Sequence, residues 1–170
     1  VLSGHTGQVT SVAVDPLGRM VFSGAADNAI RLWDLPRPDP LLELAGTEGL
    51  LRGMGISPDG KLLVTGGNDM IVRVWTLVDN KQQFQLKGHQ AEVLGIAYRA
   101  DANQFASADE GGLVKLWDPL QRSEVHELGA HDGPLRLVAY HPNNQQLITA
   151  GEDGVVRTWQ LAILPTRQLP

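Results

Sequence analysis

One hundred and seventy residues with 42% hydrophobic and 19% charged side chains make a chain long enough to bury a core and too apolar for intrinsic disorder. Fourteen basic against nineteen acidic side chains leave a net charge of -5, which repels a phosphate backbone unless the cations cluster, so nucleic acid is not an expected partner. No apolar run approaches the roughly 20 residues that cross a bilayer, so a membrane is not expected either, and the lack of Cys excludes disulfides, thiolate metal sites and a cysteine nucleophile.

In chain order the apolar segments are short and β-branched. Val9 to Val14 is the first, closed by the turn Asp15-Pro16-Leu17-Gly18, and Ile30-Arg31-Leu32 leads into Trp33. Ser57-Pro58-Asp59-Gly60 then opens Lys61 to Thr65, Val72-Arg73-Val74 leads into Trp75, and Phe84-Gln85-Leu86 follows. The second half repeats the scheme: a turn at Asp101-Ala102-Asn103, Val114-Lys115-Leu116 before Trp117, and Val125 to Leu128. A turn at His141-Pro142-Asn143-Asn144 and Val156-Arg157-Thr158 before Trp159 complete it. Runs of this length bounded by residues that preset φ or tolerate φ > 0 read as strands joined in hairpins. No segment of 10 to 12 residues keeps a helical stripe, so the chain is expected to be all-β.

The four tryptophans, Trp33, Trp75, Trp117 and Trp159, stand 42 residues apart. The same register superposes Gly4-His5 on Gly46-Thr47, Gly88-His89 and Ala130-His131, Ser23 on Thr65, Ser107 and Thr149, and Asp27 on Asp69, Gly111 and Asp153. Three residue classes keeping one period indicate four repeated modules filling residues 1–170, with approximate boundaries 4–45, 46–87, 88–129 and 130–170. Each is expected to be one small sheet of four antiparallel strands. Val1 stands where an initiator Met would, so the chain is expected to be processed or cut from a longer one. No compartment is readable, and the cytoplasm is the default.

A Gly-His, a turn such as Ser-Pro-Asp-Gly, a Ser or Thr, an Asp and a terminal Trp-Asp, repeated at this length, resemble the WD-repeat β-propeller family. Gly4-His5 with Trp33-Asp34 and Gly88-His89 with Trp117-Asp118 match both ends of the motif, whereas Trp75-Thr76 and Trp159-Gln160 lose the Asp. The resemblance implies a buried relay linking Trp, Ser or Thr, His and Asp within each blade. Matching positions give Trp33, Ser23, His5 and Asp27 in the first blade and Trp159, Thr149, His131 and Asp153 in the last. The second keeps Trp75, Thr65 and Asp69 with Thr47 in place of His. The third keeps Trp117, Ser107 and His89 with Gly111 in place of Asp and Asp109 two positions early. Those two blades are expected to be less tightly locked. Buried indole, hydroxyl and imidazole groups need partners, and chaining donor to acceptor satisfies all of them while fixing strand register.

Ser23, His5 and Asp27 are also the residue types of a hydrolytic triad. Because the set recurs in every blade, swaps Ser for Thr and survives loss of His or Asp, a structural network is the expected reading and no catalytic residue is assigned. Five histidines without ligand spacing, three of them at relay positions, give no metal site, and no cofactor is expected. Ser-Gly-Ala-Ala and Thr-Gly-Gly-Asn lead into strands instead of helix N-termini, so they are not phosphate loops. Arg31, Arg73, Lys115 and Arg157 sit two residues before each Trp, where the stem is expected to pack on the ring side with a solvated or paired head.

The resemblance implies rings of seven or eight blades, whereas this chain supplies four, leaving an apolar face on the first and last. Two copies related by a two-fold axis are expected to close an eight-bladed ring, with Thr166 to Pro170 as the outer strand of the last blade. The expected function is a non-catalytic scaffold for a protein or peptide held on the loop face. The residues three and five beyond each His position are Gln8 and Thr10, Leu50 and Arg52, Glu92 and Leu94, and Pro134 and Arg136. Those before the relay Asp positions are Ala26, Asn68, Glu110 and Glu152. Together they make a mixed-charge rim suited to charged peptides. The alternatives are a severed regulatory portion of a larger multidomain protein or enzyme, or a Ser-His-Asp hydrolase.

Overall fold

The computed structural model describes residues 1–35, 39–44 and 49–161, and fifteen strands account for their regular structure. The first sheet holds β1 (Val9–Val14), β2 (Met20–Ala25), β3 (Ile30–Asp34) and β4 (Pro40–Leu44). The second holds β5 (Leu51–Ile56), β6 (Leu62–Gly67), β7 (Val72–Thr76) and β8 (Lys81–Leu86). The third holds β9 (Val93–Tyr98), β10 (Phe105–Asp109), β11 (Leu113–Asp118) and β12 (Ser123–Gly129), and the fourth β13 (Leu135–Tyr140), β14 (Gln146–Gly151) and β15 (Val156–Gln160). Every sheet is an antiparallel meander in chain order. Thr166 to Pro170, read from the sequence as a sixteenth strand, lie outside the described residues, as does Thr47.

The hairpins between the first two strands of each sheet use the turn chemistry of the sequence. Gly18, Gly60, Ala102 and Asn144, one period apart, each donate their N–H to the carbonyl three residues back, at 2.8–2.9 Å. All four have φ between 59° and 70°, a left-handed conformation that Gly takes freely, Asn tolerates and Ala resists. The third turn therefore carries strain that the first two avoid.

The innermost strands β1, β5, β9 and β13 are successive neighbours, so the sheets stack face to face around a common axis. Phe22, Ile30, Leu32 and Leu44 of the first sheet meet Leu51, Met54, Leu63 and Trp75 of the second. Val64, Val72, Val74 and Leu86 of the second meet Val93, Phe105 and Trp117 of the third. Val114, Leu116 and Leu128 of the third meet Leu135, Val138 and Leu147 of the fourth, with Trp159 packed alongside. Each fully buried aliphatic or aromatic side chain contributes about 1.5–3 kcal/mol, so the three inter-sheet layers are the core.

Stacking on both faces explains why β6, β7 and β10 are buried almost continuously instead of alternating. Strands β1 and β15 do alternate, because the first and fourth sheets have a neighbour on one face only among the described residues. On the open face of the first sheet, Val9, Val12, Val14 and Leu35 are exposed. One period later the same positions are Leu51, Met54, Ile56 and Leu77, which pack against the first sheet. On the open face of the fourth sheet Val156 is exposed, at the position of buried Val114.

Candidate functional site

In the first sheet the indole Nε1–H of Trp33 on β3 donates to Ser23 Oγ on β2 at 2.7 Å. Ser23 in turn donates to His5 Nε2 at 2.7 Å, and His5 Nδ1–H donates to Asp27 at 3.0 Å. Asp27 sits in the β2–β3 loop, where it also accepts from the Thr6 N–H at 2.9 Å, the Ala29 N–H at 3.2 Å and Arg31 at 2.8 Å. Burial works to raise the Asp27 pKa, but these donors outweigh it and hold the carboxyl well below the ordinary carboxylate range. The fourth sheet repeats the chain: Trp159 to Thr149 at 3.1 Å, Thr149 to His131 Nε2 at 2.8 Å, and His131 Nδ1 to Asp153 at 2.8 Å. Arg157 above all, then His131 and the Val155 N–H, depress Asp153 in the same direction against a smaller opposing effect of burial.

The third sheet departs from the sequence expectation. Trp117 donates to Ser107 at 2.7 Å, Ser107 bonds His89 Nε2 at 2.5 Å, and His89 Nδ1 bonds Asp109 at 2.7 Å. Asp109 Oδ1 also accepts the Leu113 N–H at 2.9 Å. Leu113 is the periodic equivalent of Ala29, Ile71 and Val155, the amides that the relay Asp residues bond in the other sheets. Asp109, two positions early in sequence, therefore delivers its carboxylate to the same two donors, His Nδ1 and this amide, as Asp27 and Asp153 do. The expected gap in the third relay is absent, and both partners of its His–Asp pair are almost fully buried.

The second sheet keeps the bond from Trp75 to Thr65, at 3.0 Å. Asp69 accepts the Ile71 N–H at 3.2 Å and lies 2.5 Å from Arg73 Nη1. Arg73 Nε is nevertheless buried without a hydrogen-bond partner, beside a small cavity lined by Thr65, Gly67, Asp69 and Arg73. Among the described residues no such unpartnered side-chain atom occurs in the first, third or fourth relay.

The periodic cations are paired, not free. Arg31, Arg73 and Arg157 each bridge to the relay Asp four residues earlier, at 2.5–2.8 Å. Lys115 has Gly111 at that place and turns to Glu124 at 2.9 Å and to Glu127 on β12. The substitutions at 109, 111 and 115 thus compensate one another.

Hydroxyl, imidazole and carboxylate are aligned as in a proton-relay triad. The hydroxyls cannot meet a substrate, because Ser107 and Thr149 are 0% exposed and Ser23 is 5% exposed, and each already accepts from an indole. Among the described residues no group of three or more His, Asp or Glu is placed to hold a metal ion, and no helix is long and apolar enough to cross a membrane.

The rim residues divide. Arg52, Glu92, Glu110 and Arg136, from three successive sheets, line one cavity of about 320 Å³ together with Leu94 and Leu135. Arg52 Nε lies 3.3 Å from Glu92, and Arg136 Nε donates to Glu152 at 2.9 Å. Asn68 is occupied locally, its Oδ1 accepting the Leu50 N–H at 2.8 Å. The Thr10 hydroxyl bonds the Gly24 and Leu51 carbonyls, bridging the first two sheets. Gln8 is exposed, and its carbonyl accepts the Ala26 N–H at 2.8 Å. Leu135 is a lining residue that no sequence signal marks, because an apolar residue opening a strand reads as core, and Leu135 is buried at the start of β13.

The periodic sheets have counterparts in known proteins. Structural matches include a chain of "Structure of U3-55K", with TM-score 0.89 at 27% identity over 95% of this chain and 51% of that one. Another is "Crystal structure of RRP9 WD40 repeats", at TM-score 0.87 and 28% identity over 94% of this chain and 50% of that one. In sequence, one segment is 54% identical over 35 residues to "Ribosome biogenesis protein WDR12 homolog" of Oryza sativa subsp. japonica, spanning 21% of this chain and 8% of that protein. Another is 46% identical over 43 residues to "Small ribosomal subunit protein RACK1z" of Arabidopsis thaliana, spanning 25% and 13%. The chain thus spans about half of the matched structures and matches about a tenth of each of these relatives. The family model "WD domain, G-beta repeat" matches four times, at residues 1–34, 39–76, 80–118 and 122–160. Each match carries the first three strands of one sheet, and the last three matches begin with the outer strand of the sheet before; with four matches over most of its length, this chain belongs to the WD40 repeat family.

Proposed function

We propose that this chain is a non-catalytic scaffold that grips a protein or peptide segment on its loop face. The observation that carries the reading is the convergence of Arg52, Glu92, Glu110 and Arg136 on one cavity, floored by a rigid stack of sheets. A mixed-charge rim over apolar side chains suits a polypeptide ligand, whose polar groups it orients and whose carbon it buries. One solved structure that resembles the chain is of WD40 repeats, and members of the family to which the chain belongs serve widely as interaction platforms. The test is a pulldown and titration against cell extract peptides with the double variant Arg52→Ala/Arg136→Ala. Affinity falls by about tenfold or more with unchanged thermal stability; unchanged binding removes the loop face from the proposal.

The scaffold has a second partner in a copy of itself. The exposed Val9, Val12, Val14 and Leu35 repeat the positions that dock the second sheet on the first. The exposed Val156 repeats the position of Val114, which docks the third sheet on the fourth. The two open faces are therefore the two halves of one interface already used three times within the chain. Head-to-tail pairing of two copies about a two-fold axis uses both faces and leaves neither in water.

A further inference from the structure

We propose that the loop-face cavity is a socket for a single cationic side chain, lysine or arginine, projected by the partner polypeptide. The inference rests on the loop-face reading above and adds the chemistry of the ligand. Arg52, Leu94 and Arg136 are the second residues of β5, β9 and β13, so three inner strands present one periodic position to the same space. Both arginines are already committed, Arg52 to Glu92 and Arg136 to Glu152. Glu110 is not: its backbone N–H fixes the loop by donating to the Glu92 carbonyl at 2.9 Å. Its carboxylate has no hydrogen bond or ion pair among the described residues.

The charge count of the cavity and its pairs is therefore two guanidiniums against three carboxylates, with the odd carboxylate at the cavity wall. An incoming anion meets two arginines whose charge is spent and three carboxylates that repel it. An incoming cation completes the one unpaired group, and a charge-assisted hydrogen bond is the stronger kind. The apolar floor selects further. Leu135 is buried and Leu94 half-buried, which matches the alkyl stem of lysine or arginine below a polar head. A volume of about 320 Å³ lies at the small end of ligand pockets, about 300–1,000 Å³, with room for a long side chain and the backbone that carries it and not for a folded surface.

The experiment titrates the full 170-residue chain, ¹⁵N-labelled, with capped Gly/Ser heptapeptides whose central residue is arginine, lysine, norleucine or glutamate. The arginine and lysine peptides shift the amides of Leu94, Glu110 and Arg136 saturably, whereas norleucine and glutamate do not. Glu110→Gln, at an exposed and unbonded side chain, keeps the fold and weakens the arginine peptide by about tenfold. Equal binding by the norleucine peptide, or full affinity in Glu110→Gln, overturns the cationic socket. Saturable binding of the glutamate peptide that is lost in Arg52→Ala/Arg136→Ala also overturns it, yet keeps the loop-face scaffold. If no peptide moves a loop-face amide, both readings fall.

Discussion

Tyr140 on β13 donates its hydroxyl to Gln104 Oε1 across the interface between the third and fourth sheets, at 3.2 Å. One period earlier Tyr98 occupies the same place on β9, but Leu62 stands where Gln104 does, and the Tyr98 hydroxyl is buried with no partner. Burial, with Asp59 adding to it, pushes the Tyr98 phenol far above its ordinary pKa. The two tyrosines are thus the same residue with and without an acceptor. Tyr98→Phe is expected to leave the melting temperature unchanged or raise it, since an unsatisfied group is removed. Tyr140→Phe is expected to cost about 1 kcal/mol, because Gln104 loses its donor. Thermal denaturation of the two single variants checks the contrast; equal effects contradict it.

Asp109, Gly111 and Lys115 form a compensated set, and the set can be exchanged. Asp109→Ala leaves the buried His89 Nδ1–H and the Leu113 amide without an acceptor, a loss of about 2–4 kcal/mol. Adding Gly111→Asp and Lys115→Arg to that variant recreates the carboxylate–guanidinium spacing of Asp27 with Arg31 and Asp153 with Arg157. The triple variant is expected to recover at least half of the lost stability in chemical denaturation. A triple variant no more stable than Asp109→Ala shows that loop geometry, and not the carboxylate alone, is specific to residue 109.

The architecture was legible because its determinants are periodic. Four tryptophans at one interval, a turn residue of positive φ at 18, 60, 102 and 144, and hydroxyls ten residues before each indole all follow from the sequence and recur in space. What escaped the sequence was any contact that depends on where an atom ends rather than where a residue counts. Asp109 lies two places off the period, at the end of β10 where Ala25, Gly67 and Gly151 stand in the other sheets, and from there its carboxylate reaches back to His89. The cavity under Arg52, Glu92, Glu110 and Arg136 needs three inner strands to converge, and Leu135 joins it from the buried start of β13. Thr10 looked like a rim residue because it shares the period of Arg52, but its hydroxyl is spent between two sheets.

Acid sensitivity follows from the relay carboxylates. Asp27 and Asp153 have folded-state pKa values depressed below the unfolded value of about 3.9, so the folded state binds fewer protons in that range. Their contribution is complete above that value and is lost as pH falls below it toward the folded pKa. Asp101, held down to about 2 by Arg99, acts with the same sign. Melting temperature is expected to stay level from pH 8 to 5 as far as these groups act, and to fall below about pH 4. Asp27→Asn lowers stability at neutral pH and flattens the acid limb. An acid limb of unchanged slope in that variant assigns the loss to other carboxylates.

Self-association is decided at the two open faces. Val12 on β1 is 56% exposed and Val156 on β15 is 67% exposed, while their equivalents Met54 and Val114 are buried between sheets. Light scattering of the wild-type chain across a concentration series is expected to approach twice its 18.4 kDa mass. Val12→Glu and Val156→Glu each place a charge in the shared interface, where burying it unpaired is costly, and each alone returns the particle to monomer mass. Val78→Glu, also at a highly exposed valine but away from both faces, leaves the mass unchanged. Because head-to-tail closure needs both faces of both copies, mixing the Val12→Glu and Val156→Glu chains rescues one interface and not the ring. The mixture is expected to form open dimers of reduced affinity. A monomer mass for the wild type at every concentration removes the second copy as the occupant of these faces.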